Sequence, residues 1–402
     1  MNVWLKTAVV IGKAIVSVLL IALFAVTVTG VSPIYRFKAP EPFSGPDVFN
    51  PYRNLDTSGC WKRANFHTHT RVEGFLNECQ YSPQETYDAY KKLGYDIVTF
   101  SNHNELTAHP FDQSLQVNVY EHGYNLFKYH KLVFGCHDEH MFDHLVPALA
   151  SQKQFQIDFL KKESDFIQMN HPLRTIGTSK SHMEKIGGYQ IMELDSGKST
   201  ENEYWDWALS AGHYSFALAN DDLHYPDRSR CIAVRCNFLC CNSASYEDIR
   251  QTLLDGCFYS MRIPDYGRGD WEIKYSENRK LPYIKDIGAD GDSIFIRLSA
   301  AADSIKVTGQ DHKTLAMEMQ TDRLGYRIKE TDSYGRFTAY FPEGEVIWSN
   351  PFARYDASST ENPVLTADTH TVDIVRTILF NLLLMAVASG LVICIYKLWK
   401  RK

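Results

Sequence analysis

The sequence predicts an α/β domain built on a parallel sheet, open or closed into a barrel, followed by a small all-β sandwich and flanked by two transmembrane helices. Three observations predict it. Strand-like and helix-like stretches alternate from about residue 61 to 262, the texture changes after Asp270 to strands separated by Gly, Asp and Asn turns, and an apolar run lies near each end.

Of 402 residues, 44% are hydrophobic and 13% aromatic, enough to bury one large core and something smaller. The formal net charge of -6 supplies no global basic field, so no nucleic acid binding is implied by charge. An acidic substrate would need local cations.

Residues 14–31 form an almost unbroken apolar run that just spans a bilayer, with Lys6 and Lys13 before it. The run is longer than a typical signal core and reads as an uncleaved anchor, with a cleavable signal peptide ending near Thr29 and Gly30 as the alternative. Residues 377–396 form a second apolar run, followed at once by Lys397, Lys400, Arg401 and Lys402, and read as a transmembrane helix. By the positive-inside rule both termini are expected in the cytoplasm at the cell membrane, with everything between them extracytoplasmic. The expected organisation is an anchor at 1–31, a linker at 32–58 containing five prolines, a barrel-like domain at 59–269, a β-sandwich at 270–358, a juxtamembrane linker at 359–376, the helix at 377–396 and a basic tail at 397–402.

Within the central domain, residues 63–67 read as a strand, and Ser82-Pro83-Gln84-Glu85 opens a helix with both a capping box and a proline at the first helical position. That helix is expected to end at Gly94. Apolar runs follow at 96–101, 132–136, 166–169, 189–194 and 214–219, with helical stretches such as 152–162 and 203–209 between several of them. Later strands are expected at 293–298, 304–308, 335–341 and 346–348. Of nine cysteines, Cys394 lies in the second apolar run and eight lie outside it. None has the paired CxxC spacing of a structural zinc site, and disulfides and buried thiols both remain open.

Metal-ligand residue types stand just after the apolar runs, where an α/β barrel gathers its active site. The first strand ends in His67-Thr68-His69, whose histidines project to one side of an extended chain and can share a metal. Asn102-His103 follows the second run, Asn170-His171-Pro172 a later one, and Asp222-Leu223-His224 closes the series. Residues 136–144 add His137, Glu139, His140 and His144. A single histidine is more often a hydrogen-bonded structural group, but four or five strand ends in series argue for a site. Imidazole with carboxylate suits zinc, iron or manganese, and the ligands suffice for two or three divalent metal ions.

These residues resemble the polymerase and histidinol phosphatase (PHP) superfamily over about residues 61–262. The opening HxH and following carboxylate-glycine match His67, His69 and Glu73-Gly74, the second motif keeps His103, and the later motifs match His171-Pro172 and Asp222-Leu223-His224. The resemblance implies a distorted (β/α)7 barrel with up to three metals that hydrolyses phosphate esters. A β-sandwich after the barrel also resembles extracellular members of that family. The third motif departs, because Gly135-Cys136-His137 stands where glycine-x-glutamate is expected. Since a bridging ligand should be anionic, Glu139 is expected to bridge two ions, with His137 terminal or supporting and His144 as the following histidine. Glu193, at a strand end, is expected to orient a ligand.

The expected activity is metal-dependent phosphoester hydrolysis, with His171 or His224 protonating the leaving oxygen and Arg174 clamping phosphate. A degenerate barrel used for binding or sensing is the alternative from another class. Hydrolysis of an amide or lactone is a third reading.

Overall fold

The computed structural model describes residues 3–56, 61–73, 77–196, 199–200, 202–359 and 370–400. Cys60 and Gly74 lie outside the described residues. The chain is mixed α/β, and among the described residues all its strands but one small antiparallel pair lie in two sheets. One has the order Phe216–Asn220, Ile191–Ser196, Phe166–Met169, Lys131–Phe134 and Val119–His122, with Ser199–Thr200 paired to Ile191–Ser196. Its first three strands are parallel, whereas the pairs formed by Lys131–Phe134 are antiparallel.

The other sheet contains Trp61–Asn65 and Ile97–Val98, paired in parallel, followed outward by Arg235–Cys240 and Phe258–Arg262. The two sheets approach along two seams, and single parallel bridges cross them: Thr68 with Leu223, and His103 with Glu121. Of the two expectations, a sheet open or closed into a barrel, no closed barrel is found among the described residues: two sheets meet at isolated bridges. Buried amide side chains explain part of the break. Asn220 Oδ1 accepts from Phe66 N at 3.0 Å and Asn237 Oδ1 from Ala219 N at 2.8 Å, so side chains satisfy backbone groups that a continuous ladder would otherwise pair.

The strands expected in the β-sandwich continue from this sheet. Val346–Ser349 pairs antiparallel with Phe258–Arg262, and Tyr334–Tyr340, Ser293–Gly309 and Ile284–Asp290 continue outward in that same sheet. A buried ion pair fixes this region against helix Asn202–Ser210: Arg336 Nε and Nη2 donate to the two carboxylate oxygens of Asp206 at 2.8 and 2.7 Å. Around the first sheet, Phe134 and Phe166 stack at 4.6 Å within a core that also buries Phe66 and Trp205. Each such side chain contributes about 1.5–3 kcal/mol by leaving water.

Helix Pro83–Lys92 starts as the sequence predicts, with Glu85 N donating to Ser82 Oγ at 3.3 Å and Ser82 N donating to Glu85 Oε2 at 2.8 Å. Just beyond its end Gly94 adopts φ +84°, a left-handed conformation that glycine enters without a Cβ penalty.

Helices Val3–Thr29 and Ile374–Lys400 are long and apolar enough to cross a membrane. They lie antiparallel: Trp399 Nε1 donates to Ser17 Oγ at 2.8 Å near one end of the pair, and Ser32 N donates to Asn381 Oδ1 at 3.3 Å near the other. The proline-rich stretch read as a linker is tied to the rest of the chain, because Tyr35–Phe37 pairs with His370–Val372 and Asp47–Phe49 with Phe352–Tyr355.

Candidate metal centre

Strand ends on both sides of the seams deliver the site. His67 and His69 follow Trp61–Asn65, His103 follows Ile97–Val98, His171 follows Phe166–Met169, and Asp222 follows Phe216–Asn220. All are buried or nearly so. Two chain reversals aim the last pair: His171 has φ 26° and Asp222 φ 48°, conformations in which an ordinary side chain is strained and which persist only where the surroundings enforce them.

The carboxylate at the centre is Glu121, in the short strand Val119–His122. One of its oxygens, Oε1, lies 3.3 Å from His67 Nε2, 3.3 Å from His171 Nε2 and 3.1 Å from His130 Nδ1. The other, Oε2, lies 3.3 Å from both His69 Nε2 and His103 Nε2. Asp222 Oδ1 stands 3.3 Å from His67 Nε2 and equally far from His69 Nε2. Three overlapping triads result, each with its ligand atoms within 4.8 Å of one another: His67, Glu121 and His171; His67, His69 and Asp222; and His69, His103 and Glu121.

The donor set fits divalent ions. Nε2 of His67 and Nε2 of His69 are buried and lack a hydrogen-bond partner among the described residues, although each faces carboxylate oxygens. Buried polar atoms ordinarily find partners, and imidazole nitrogen with carboxylate oxygen is a usual donor set for zinc, iron or manganese.

Burial alone would depress the His67 imidazole, but Glu121, Glu193 and Asp222 around it hold it well above its ordinary value. Burial likewise opposes ionisation of Glu121 and Asp222; the surrounding histidines, His67 foremost, keep both carboxylates well below their usual range. Burial pushes His130 down to about 4 despite Glu121 beside it. The cluster is therefore a set of buried charges that stabilise one another.

Supporting groups orient these side chains. Glu193 Oε1 is 2.8 Å from His67 Nδ1, and its Oε2 accepts from His171 N at 3.0 Å. Arg174 Nη1 donates to Asp222 Oδ2. His224 sits at the more open edge, its Nδ1 2.8 Å from the Asp222 carbonyl and its Nε2 3.0 Å from Glu78 Oε2. Glu78 also approaches His103 Nε2 at 3.4 Å, and hydrogen bonds from His103 and His224 hold its carboxyl well below the usual range.

The sequence-predicted residues divide accordingly. His67, His69, His103, His171, Asp222, His224 and Arg174 come together, with Glu193 beside them. The structure does not bring Glu73, His137, Glu139 or His144 into the cluster. Glu73 and His137 are exposed. Glu139 Oε1 instead accepts from Leu106 N at 2.8 Å. His144 is turned away, its Nδ1 bonded to the carbonyl of Thr29 at the end of the first helix. Expectation placed the bridging carboxylate after strand Lys131–Phe134; the carboxylate among the imidazoles comes from the preceding strand.

Glu121, His130 and Glu78 are the residues that the sequence reading missed. A faint signal existed for two of them, since the short stretch Val119-Tyr120 runs into Glu121 and His130 follows nine residues later, although glycine-x-glutamate was expected at Gly135-Cys136-His137 instead. Glu78 stands in no comparable pattern.

No family model matches the chain, and no curated protein matches it. Among solved structures, the chain is similar to a two-domain protein from Bacteroides vulgatus ATCC 8482 containing a predicted PHP-like metal-dependent phosphoesterase, at 16% sequence identity and a TM-score of 0.39, over 78% of this chain and 99% of that one.

Proposed function

We propose that the chain is a metal-dependent hydrolase of phosphate esters, anchored to a membrane by its terminal helices. The observation that carries this reading is the division of Glu121 between two sets of imidazoles: Oε1 faces His67 and His171, while Oε2 faces His69 and His103. A carboxylate so placed can hold two cations close together, which neutral imidazole does poorly.

His67, His69, His103, Glu121, His171 and Asp222 would hold two or three divalent ions. When bound, such ions would supply Lewis acidity toward phosphate oxygens and toward water. The chain's own groups do the rest. Arg174 is held against Asp222 with its guanidinium at the site and presents further N–H donors for a phosphate oxygen. His224, at the open edge and oriented by Glu78, donates a proton to the leaving oxygen. His171, packed against Glu121 inside a triad, serves as a ligand. Glu193 fixes His67 through its outer nitrogen.

The basic residues at both chain ends and the antiparallel helix pair support an extracytoplasmic placement of this site. Metal analysis of the purified full chain, followed by hydrolysis of chromogenic phosphomonoesters and phosphodiesters with and without a chelator, tests the function. Turnover unaffected by His67→Ala together with His69→Ala would sink it.

A further inference from the structure

The end of the first apolar helix is fastened to the loops that lead to the metal centre. Thr29 accepts at its carbonyl from His144, and its Oγ1 accepts from Leu145 N at 3.3 Å. One residue on, the Gly30 carbonyl accepts from Gln152 Nε2 at 3.0 Å. Leu145 O in turn accepts from Leu126 N at 2.9 Å, and the loop that carries Leu126 bonds onward, with Phe127 O accepting from Ile176 N at 2.8 Å and Lys128 O from Thr175 Oγ1 at 3.0 Å. The segment at 172–176 contains Arg174, which reaches Asp222 in the cluster. Three loops thus form one hydrogen-bonded path from the helix end to the site.

Those same loops carry large apolar side chains that the fold leaves in the open. Leu126 is 66% exposed and Ile176 55%, and Met141, Phe142, Leu149 and Leu173 are exposed with them. Scattered apolar residues on a surface need no explanation, but a group on bonded neighbouring loops at the root of a membrane-length helix does. Cations belong to the same bonded loops and helix ends: Lys128 is exposed two residues from Leu126, and Arg36 and Arg376 are mostly exposed beside Asp373, where the second helix starts. Apolar side chains flanked by basic ones match a bilayer interface, where acyl chains meet anionic headgroups.

We infer that this rim, centred on Leu126 and Ile176, lies in the bilayer surface and presents the metal centre to the phosphate ester of a membrane lipid. The inference rests on the phosphoesterase reading for its chemistry and on the helix-to-loop bonds for its geometry. In the step, the oxygen of water bonds to phosphorus, the bond from phosphorus to the lipid oxygen breaks, and a proton passes to that oxygen. The products are a lipid alcohol and the released phosphate, or the phosphorylated headgroup for a diester. Fixing the rim by short hydrogen-bonded loops, rather than by a free linker, keeps the site at headgroup depth.

The full chain in phosphatidylcholine vesicles tests this. An environment-sensitive fluorophore attached in Leu126→Cys or Ile176→Cys, with labelling of the unsubstituted protein subtracted, should be quenched by brominated lipid, and one in Met319→Cys on the Ser293–Arg327 hairpin should not. The double change Leu126→Asp and Ile176→Asp should lower hydrolysis of phosphatidic acid or phosphatidylglycerol in the vesicles roughly ten-fold or more, while hydrolysis of soluble p-nitrophenyl phosphate stays within about two-fold. Absence of quenching at 126 and 176, or equal effects on lipid and soluble substrates, would overturn the inference, including in favour of a protein partner on this face. Turnover of the soluble ester alone would remove the lipid assignment and leave the phosphoesterase reading standing. Turnover of neither would remove both.

Discussion

His67 Nδ1 lies 2.8 Å from Glu193 Oε1, which leaves Nε2 as the nitrogen facing Glu121 and Asp222. A carboxylate oxygen accepts, so in the neutral, metal-binding form of His67 the contact with Glu193 keeps the proton on Nδ1 and leaves the lone pair on Nε2. Glu193→Gln removes that bias, because the amide can offer either a donor or an acceptor. Metal affinity should fall by roughly 10–100-fold, the usual cost of losing such a partner, with the fold intact. Titration calorimetry with zinc or manganese against the purified full chain checks it, and unchanged affinity would sink the orienting role.

Much of this site was legible because residues that end strands also end apolar runs. His67, His69, His103, His171 and Asp222 all follow such runs, and barrel-like geometry turns that pattern into convergence. Glu121 was hidden for a physical reason. Its strand has four residues, and two of them, Glu121 and His122, are buried polar groups that interrupt any hydrophobic period. The histidine-rich segment at 136–144 drew attention instead, yet it docks the first helix through His144. The two-sheet arrangement was equally hidden, because it depends on where Asn220 and Asn237 place their side-chain amides, and periodicity carries no such information.

Glu121 and Glu139 give opposite predictions for the same substitution. Glu121→Gln removes the only carboxylate common to two of the triads, so it should abolish phosphoester turnover and weaken metal binding by more than about 100-fold, beyond the effect of losing a supporting group. Glu139→Gln changes only an acceptor for Leu106 N, which the amide oxygen can replace, and should retain metal and activity. Elemental analysis and turnover of the two variants side by side decide the matter. The reverse result would return the bridge to the later loop.

His130 tests whether a histidine beside the bridge is needed as a neutral donor. Burial holds it down to about 4, so at neutral pH it carries one proton and can donate it to Glu121 Oε1 at 3.1 Å. His130→Gln, whose amide can still donate, should keep more activity than His130→Ala, which leaves that oxygen one partner short. Equal loss in both would argue for packing rather than hydrogen bonding.

Away from the site, Asp206 predicts the acid limb of stability. Burial would raise its carboxyl, but Arg336 and His312 override burial and hold it below the ordinary carboxylate value. A depressed folded-state pKa contributes stability above the unfolded value, and this is lost as pH falls through the folded one. Asp206→Asn should therefore cost about 3–5 kcal/mol at neutral pH, because Arg336 is left buried without its counter-charge. The difference from wild type should shrink in acid below the ordinary carboxylate range. Thermal unfolding across pH 3 to 7 measures it, and a pH-independent difference would show that lost packing, not charge, dominates.

The terminal helices predict a topology that their contacts make specific. Trp399 Nε1 bonds to Ser17 Oγ at 2.8 Å and the Lys13 ammonium lies 6.0 Å from the Trp399 ring, so the first helix runs antiparallel to the second with Lys13 beside the second helix's last turn. Lys13, Lys397 and Lys400 stand at that end, and the positive-inside rule predicts that it faces the cytoplasm, with residues 32–373 on the other side. Reporters fused before Met1 and after Lys402 should both be cytoplasmic, and a cysteine placed at Ser44 should react with an impermeant reagent from outside. Trp399→Phe should leave this topology unchanged, since one interhelical hydrogen bond in a membrane contributes only about 0.6 kcal/mol and the charge pattern survives. Termini found on opposite sides would overturn this topology and, with it, the proposed placement of the site at the bilayer surface.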